Sequence, residues 1–129
     1  MGQQQLLLII LGLILVAVAL AVGISLFRSN AIDQKRNMLI NDCIDFASLA
    51  QQYYLKPITY GGGGNSFTNW KIPTSMKSTP VGTYKITNIA SDEVIILAIG
   101  TEVVTGTDSV KVQVTIPSPP QDYQIQIIN

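Results

Sequence analysis

From Leu6 to Phe27 the chain reads LLLIILGLILVAVALAVGISLF, with Ser25 as its only polar residue. These twenty-two residues, at a rise of about 1.5 Å each, predict a helix about 33 Å long, enough to cross a hydrocarbon core about 30 Å thick. No proline interrupts the run, and only Gly12 and Gly23 weaken it. Beyond Arg28 the pattern turns one-sided. Ile40, Cys43, Ile44, Ala47, Ala50 and Tyr54 recur at spacings of three and four and draw one helical face, which Leu39, Phe46, Leu49 and Tyr53 widen. Asp33, Lys35, Arg36, Asn41, Asp42, Asp45 and Gln52 fall largely on the remaining surface. The two stretches predict one helix from about Gln4 to about Tyr54, closed by Lys56-Pro57 because proline disfavours helix in the residue before it. Such a helix is about 75 Å long. A small domain covers only part of that, so its front half is expected to protrude.

Tyr60-Gly61-Gly62-Gly63-Gly64-Asn65-Ser66 is a connector, since four glycines carry too much backbone entropy for regular structure. A phosphate-binding loop would need a Gly-Lys-Ser/Thr ending and a preceding strand, and has neither. Phe67 and Trp70 are expected to pin this loop to the domain; a contact surface made of Tyr60, Phe67 and Trp70 is the alternative. Thr79-Pro80-Val81-Gly82 marks a turn, and from there the period becomes two. Tyr84 and Ile86 alternate with Lys85 and Thr87. Glu93 to Ile99 contains VIILAI, a run typical of a strand buried on both faces. Gly100 and Gly106-Thr107-Asp108 read as breaks. Val110, Val112, Val114 and Ile116 then alternate with Lys111, Gln113 and Thr115, Pro117, Pro119 and Pro120 stop that strand, and Tyr123, Ile125 and Ile127 alternate with Gln124 and Gln126. The expected fold class is α+β: a long N-terminal helix whose C-terminal half packs on a four-stranded antiparallel sheet. Ile40, Cys43, Ile44, Ala47 and Tyr54 are the expected helix–sheet packing residues. The chain divides on this reading into a protruding apolar helix (1–28), an amphipathic helix half (29–56), a Gly-rich connecting loop (57–81) and the sheet (82–129).

Composition changes this picture little. The 129 residues suit one modest domain with an accessory segment. Eight basic and eight acidic residues balance to zero net charge, and with no basic run nucleic acid is not an expected partner. Cys43 is the single cysteine, so no internal disulfide is available. A small buried hydrophobe is its favoured role, ahead of lipidation or an intermolecular disulfide. There is no histidine. That removes the usual acid–base and haem-ligating groups, and no Cys/His metal cluster exists, so neither an enzyme nor a bound cofactor is expected. The closest carboxylate pairs, Asp92-Glu93 and Asp42 with Asp45, read as a turn and a solvated helix face.

Three uses of the apolar segment compete. A cleaved signal peptide would have a basic start and a shorter apolar core. A plain membrane anchor accounts for the length alone. A helix that is membrane-inserted first and later packs against copies of itself accounts for the small residues Gly12, Ala17, Ala19, Ala21 and Gly23, which permit close helix approach; as ordinary membrane-helix filler they fit an anchor equally. Arg28, Lys35 and Arg36 all follow the run, and a positive-inside count would place the C-terminal domain in the cytoplasm. One resolution is that Met1 is not an initiator and that a basic leader has been removed.

In its order of parts the chain resembles the type IV pilin-like family: a polar start, an uninterrupted apolar stretch, an amphipathic continuation, a glycine-containing loop and an antiparallel sheet. The resemblance covers the whole chain. Members are typically cleaved by a prepilin peptidase after a glycine and carry glutamate at the fifth mature position. If Met1 is the first mature residue, Gln5 stands there; if cleavage follows Gly2, the position is Leu7. The proline common in the apolar helix of bacterial pilins and the usual C-terminal disulfide are both missing, which marks a divergent member.

The resemblance implies a structural subunit of an extracellular helical filament at the cell surface, assembled from an inner-membrane pool. Its partners would be copies of itself, the membrane before assembly, and the pilus assembly machinery. Leu6, Leu8, Ile9, Leu13, Val16, Leu20 and Ile24 would form the assembly core and Gly12 and Gly23 the flexible points; Gln3, Gln4 and Gln5 would make the N-terminal polar contacts or, as readily, only mark the membrane interface. A processed N-terminus of this family is often methylated. The rival readings are a monomeric interaction domain anchored outside the cell membrane and a pseudopilin of a secretion system.

Overall fold

The computed structural model describes residues 2–119 and 121–128; Met1, Pro120 and Asn129 lie outside the described residues, as do the N-terminal processing and Pro120 stop signals that fall on them. Helix α1 runs Gly2–Leu55, followed by two short 3-10 turns and the strands β1 (Gly82–Ile89), β2 (Glu93–Thr105), β3 (Asp108–Pro117) and β4 (Gln124–Ile127). The chain forms two compact units, Met1–Ala31 and Ile32–Asn129.

In the second unit the helix packs on a four-stranded antiparallel sheet of order β1-β2-β3-β4, each strand beside its sequence neighbour. The period-two signal fixes which residues face the helix. Val94, Ile96 and Ala98 of β2 and Val110, Val112, Val114 and Ile116 of β3 are all fully buried. Helical spacing brings Leu39, Cys43, Phe46, Ala47 and Ala50 onto them, also buried. Each large apolar side chain so enclosed contributes about 1.5–3 kcal/mol relative to exposure. Phe46 meets Tyr84 of β1 edge-on, with ring centroids 4.8 Å apart. Leu39 and Phe46, read from the pattern as wideners of the stripe, sit among its buried centre. Ile40 and Tyr54 are partly buried against the core. Ile44 is half-buried and lies about 100° around the helix from Cys43, at the margin of the face.

Two expectations about β2 change. Its six-residue apolar run is buried on one face only, because Ile95, Leu97 and Ile99 on the other face are half-exposed. Gly100 is no break. It lies within β2 and pairs with Gly82, and a Cβ placed there would come 3.1 Å from Leu39 Cδ1, 3.3 Å from Val110 Cβ and 3.4 Å from Lys35 Cγ. A side chain at that point would crowd the helix.

The tetraglycine connector is tightly folded. Its amides cap the end of α1: Gly63 N–H donates to Tyr53 O and Asn65 N–H to Tyr54 O, both at 2.7 Å, and Gly64 N–H donates to Lys56 O at 3.0 Å. The Tyr53 and Tyr54 carbonyls, in the last turn, have no partner within the helix. A Cβ at Gly63 would collide with the Ser66 carbonyl oxygen and the Tyr53 ring, and Gly61 and Gly64 have φ of 82° and 57°, so glycine is required for the wrap. Tyr53 holds the far side, its hydroxyl donating to Thr68 O at 2.9 Å. Phe67 and Trp70 are buried and pin the loop, as their position suggested. They are therefore unavailable to a contact surface, and of that trio only Tyr60 is exposed.

Candidate functional site

The first unit is a single helical segment, and its physical character is simple. An 18-residue window within α1 has a mean hydropathy of 3.2, and none of it is buried. Among the expected assembly residues, Leu6, Leu8, Ile9, Leu13, Val16, Leu20 and Ile24 are each between 57% and 68% exposed. An apolar surface left open all round a helix is not stable in water. At about 25 cal/mol per Å² of apolar surface, the penalty demands a lipid or protein environment.

Gln3, Gln4 and Gln5 lie in the first turns of α1 and are exposed. There is no acidic residue in the first turn, so the unpaired amides there lack the carboxylate that commonly faces a helix N-terminus. Gly12 and Gly23 both lie inside the unbroken helix, and a Cβ at either would meet nothing within 4 Å. The helix runs through both positions.

By length and composition alone, a membrane-crossing helix, a core helix of a soluble protein and a signal sequence meet the same description. Within this chain none of the window is buried. No family model, curated protein or solved structure matches the chain.

The second unit holds the polar chemistry. Asp42, expected on a solvated helix face, is half-buried and accepts a hydrogen bond from the hydroxyl of buried Tyr84. Burial first, and the bond to the Asp42 carboxylate second, push the Tyr84 phenol well above its usual range. Asp45 is exposed, as expected of the pair. Cys43 is fully buried, and burial together with the negative charge of Asp42 pushes its thiol up to about 12. A thiol held protonated in this way is a poor nucleophile, which disfavours lipidation or disulfide exchange there. Asp92 lies in the β1–β2 turn and Glu93 begins β2. Among the described residues no group of three or more His, Cys, Asp or Glu is placed to hold a metal ion.

Pattern reading missed the Asp42–Tyr84 link. Its signal was a carboxylate one position before a buried cysteine, too weak to separate from a solvated charge.

Proposed function

We propose that this chain is a structural subunit of a helical filament of the type IV pilus-like kind, polymerising through the apolar segment of α1. The observation that carries the reading is an 18-residue apolar window with none of its surface buried, on the same helix whose residues 32–55 belong to a folded domain. A monomer shelters that window in a bilayer. On leaving the bilayer it must bury the window, and a bundle of identical helices does so. Head-to-tail contacts whose rotation does not close propagate into fibres. Leu6, Leu8, Ile9, Leu13, Val16, Leu20 and Ile24 line the bundle, and Gln3, Gln4 and Gln5 offer amide hydrogen bonds between neighbouring helix starts. Membrane before assembly, other copies afterwards, an assembly machinery between the two and the cell surface as destination complete the reading.

The test is electron microscopy of material sheared from expressing cells, with intact-mass analysis of the subunit. Thin uniform fibres containing the chain are the expected result, and the mass establishes whether Met1 heads the mature subunit and carries a methyl group. Recovery solely as a detergent-soluble monomer overturns the proposal and favours the membrane-anchored interaction domain. Short fibres seen only with a secretion system favour the pseudopilin.

A further inference from the structure

Two clefts of the folded unit are lined by charges of opposite sign. At one corner, beside β1, a groove of about 520 Å³ is lined by Lys71, Lys77 and Lys85, with Ser78 and Thr83 on its walls and Ile72 and Ile86 among its apolar residues. No carboxylate lines it. The segment forming its outer wall is fixed to the edge strand: Tyr84 N–H donates to Lys77 O at 2.9 Å, and Ser78 bridges to Thr83. At the other corner, where β2 begins and β3 gives way to β4, a cleft of about 470 Å³ is lined by Glu93 and Asp122 together with Thr115, Pro117, Tyr123 and Gln124. No basic residue lines that one.

Sheet order makes β1 and β4 the two edges, three strand spacings or about 14 Å apart. Strand register adds a second displacement. Lys85 is level with Leu97, four residues along β2 from Glu93, or about 13 Å. The ion pairs among the described residues are Arg36–Asp33 at 3.0 Å and Lys111–Asp108 at 2.6 Å, and none of Lys71, Lys77, Lys85, Glu93 and Asp122 takes part in either. Lys35, Lys56, Asp42, Asp45, Asp92 and Glu102 join neither pair but line neither cleft, so the basic groove gathers three cations and the acidic cleft two carboxylates without ionic partners of their own.

We infer that the basic groove beside β1 receives the acidic β3–β4 corner of a second copy of this chain. The inference rests on the filament reading and deepens it by naming a contact between folded domains. Two different surfaces meet, so the contact is heterologous: one copy keeps its acidic corner free and the other its basic groove, and a further copy can add at either end. Charge complementarity of this kind fixes register and rejects like-charged approaches more than it adds raw affinity. In this arrangement the apolar helix drives assembly and the corners select the neighbour.

The test uses the full chain in the membranes and sheared fraction of expressing cells. Thr83→Cys at the basic groove and Gln124→Cys at the acidic corner, combined in one chain and treated with a short bis-maleimide, are expected to give a ladder of dimers, trimers and longer products, with buried Cys43 unlabelled. Adding Lys77→Glu and Lys85→Glu should cut the ladder by about tenfold or more, and adding Glu93→Lys and Asp122→Lys to that chain should restore it. Fibres without a ladder, or a ladder indifferent to charge reversal, overturn this inference and leave the filament reading standing. A charge-dependent ladder without fibres supports the corner contact and removes the filament. Neither ladder nor fibres removes both.

Discussion

Val16→Lys separates membrane residence from assembly. Val16 lies ten residues after Leu6 and eleven before Phe27, which puts it about 15–16 Å from either end of the apolar run and so near the centre of a bilayer. A lysine at the centre of a spanning helix costs about 3 kcal/mol, against about 0.3–0.6 kcal/mol gained by each leucine, isoleucine, valine or phenylalanine. The run holds fifteen such residues besides Val16, whose summed gain of about 4.5–9 kcal/mol exceeds the penalty, so the variant still inserts. Packed among copies of the same helix the lysine fares worse. Every subunit would bring an unpaired cation into an apolar core, each costing several kcal/mol and repelling the next. Fibre yield should therefore fall at least about a hundredfold, since 1.4 kcal/mol is a factor of ten. The folded unit should not notice, because Val16 is 57% exposed and lies outside the unit Ile32–Asn129. The assay pairs immunoblots of sheared and membrane fractions with thermal unfolding of the detergent-extracted subunit. Wild-type fibre yield from Val16→Lys would refute an apolar helical core, and a lowered unfolding temperature would refute the independence of the domain.

Three further outcomes concern the domain itself. Cys43 and Tyr84 both have pKa values raised in the fold, so the stability they confer is complete below their ordinary values of 9.0 and 10.0 and is lost as pH climbs through the folded ones. Urea midpoints should decline from pH 9 upward, each titrating group removing up to about tenfold in the folding equilibrium per pH unit; Cys43→Ala should flatten the decline between pH 9 and 10, and an unchanged slope would count against the buried thiol. Gly63→Ala, which drives a methyl into the Ser66 carbonyl and the Tyr53 ring, should cost about 1–3 kcal/mol by denaturant unfolding, and a neutral result would mean that the connector does not wrap the helix end. Asp42→Ala should cost about 1–3 kcal/mol by removing the Tyr84 hydroxyl's carboxylate acceptor and leaving it only its Thr79 partner; Asp42→Asn keeps an acceptor and should cost less, and Tyr84→Phe in the Asp42→Ala background should recover part of the loss, failing which the pair is not coupled.

The helix and the four strands were legible in the sequence because periods of 3.6 and 2 are written directly in where Cys43, Ala47 and Ala50, or Val110, Val112 and Val114, fall. What escaped depended on partners distant in sequence. Gly100 resembles a strand break until Leu39, more than sixty positions earlier, is known to fill the space above it. Asp42 is polar beside a buried face, and only the arrival of Tyr84 distinguishes it from Asp45. The glycine run signalled a connector, but its conformation follows from the carbonyls of Tyr53, Tyr54 and Lys56 that its amides satisfy. The apolar segment is a different case. Its exposure was legible in the sequence, whereas the proposed contacts of Leu13 or Val16 lie on another molecule and are not recorded in one chain.

The gap at Gly100 also has a mechanical meaning. Leu39 seats where a side chain is missing, with Val110 and the Lys35 stem closing around the same point, so helix and sheet are joined like a key in a slot. Moving the helix along its axis by one turn, about 5.4 Å, would lift Leu39 out of the slot and bring it against strand positions that carry side chains. A pull on the helix is thus opposed by interlocking shape as well as by apolar area, and Gly100→Val would weaken the joint by blocking the slot without removing any apolar atom.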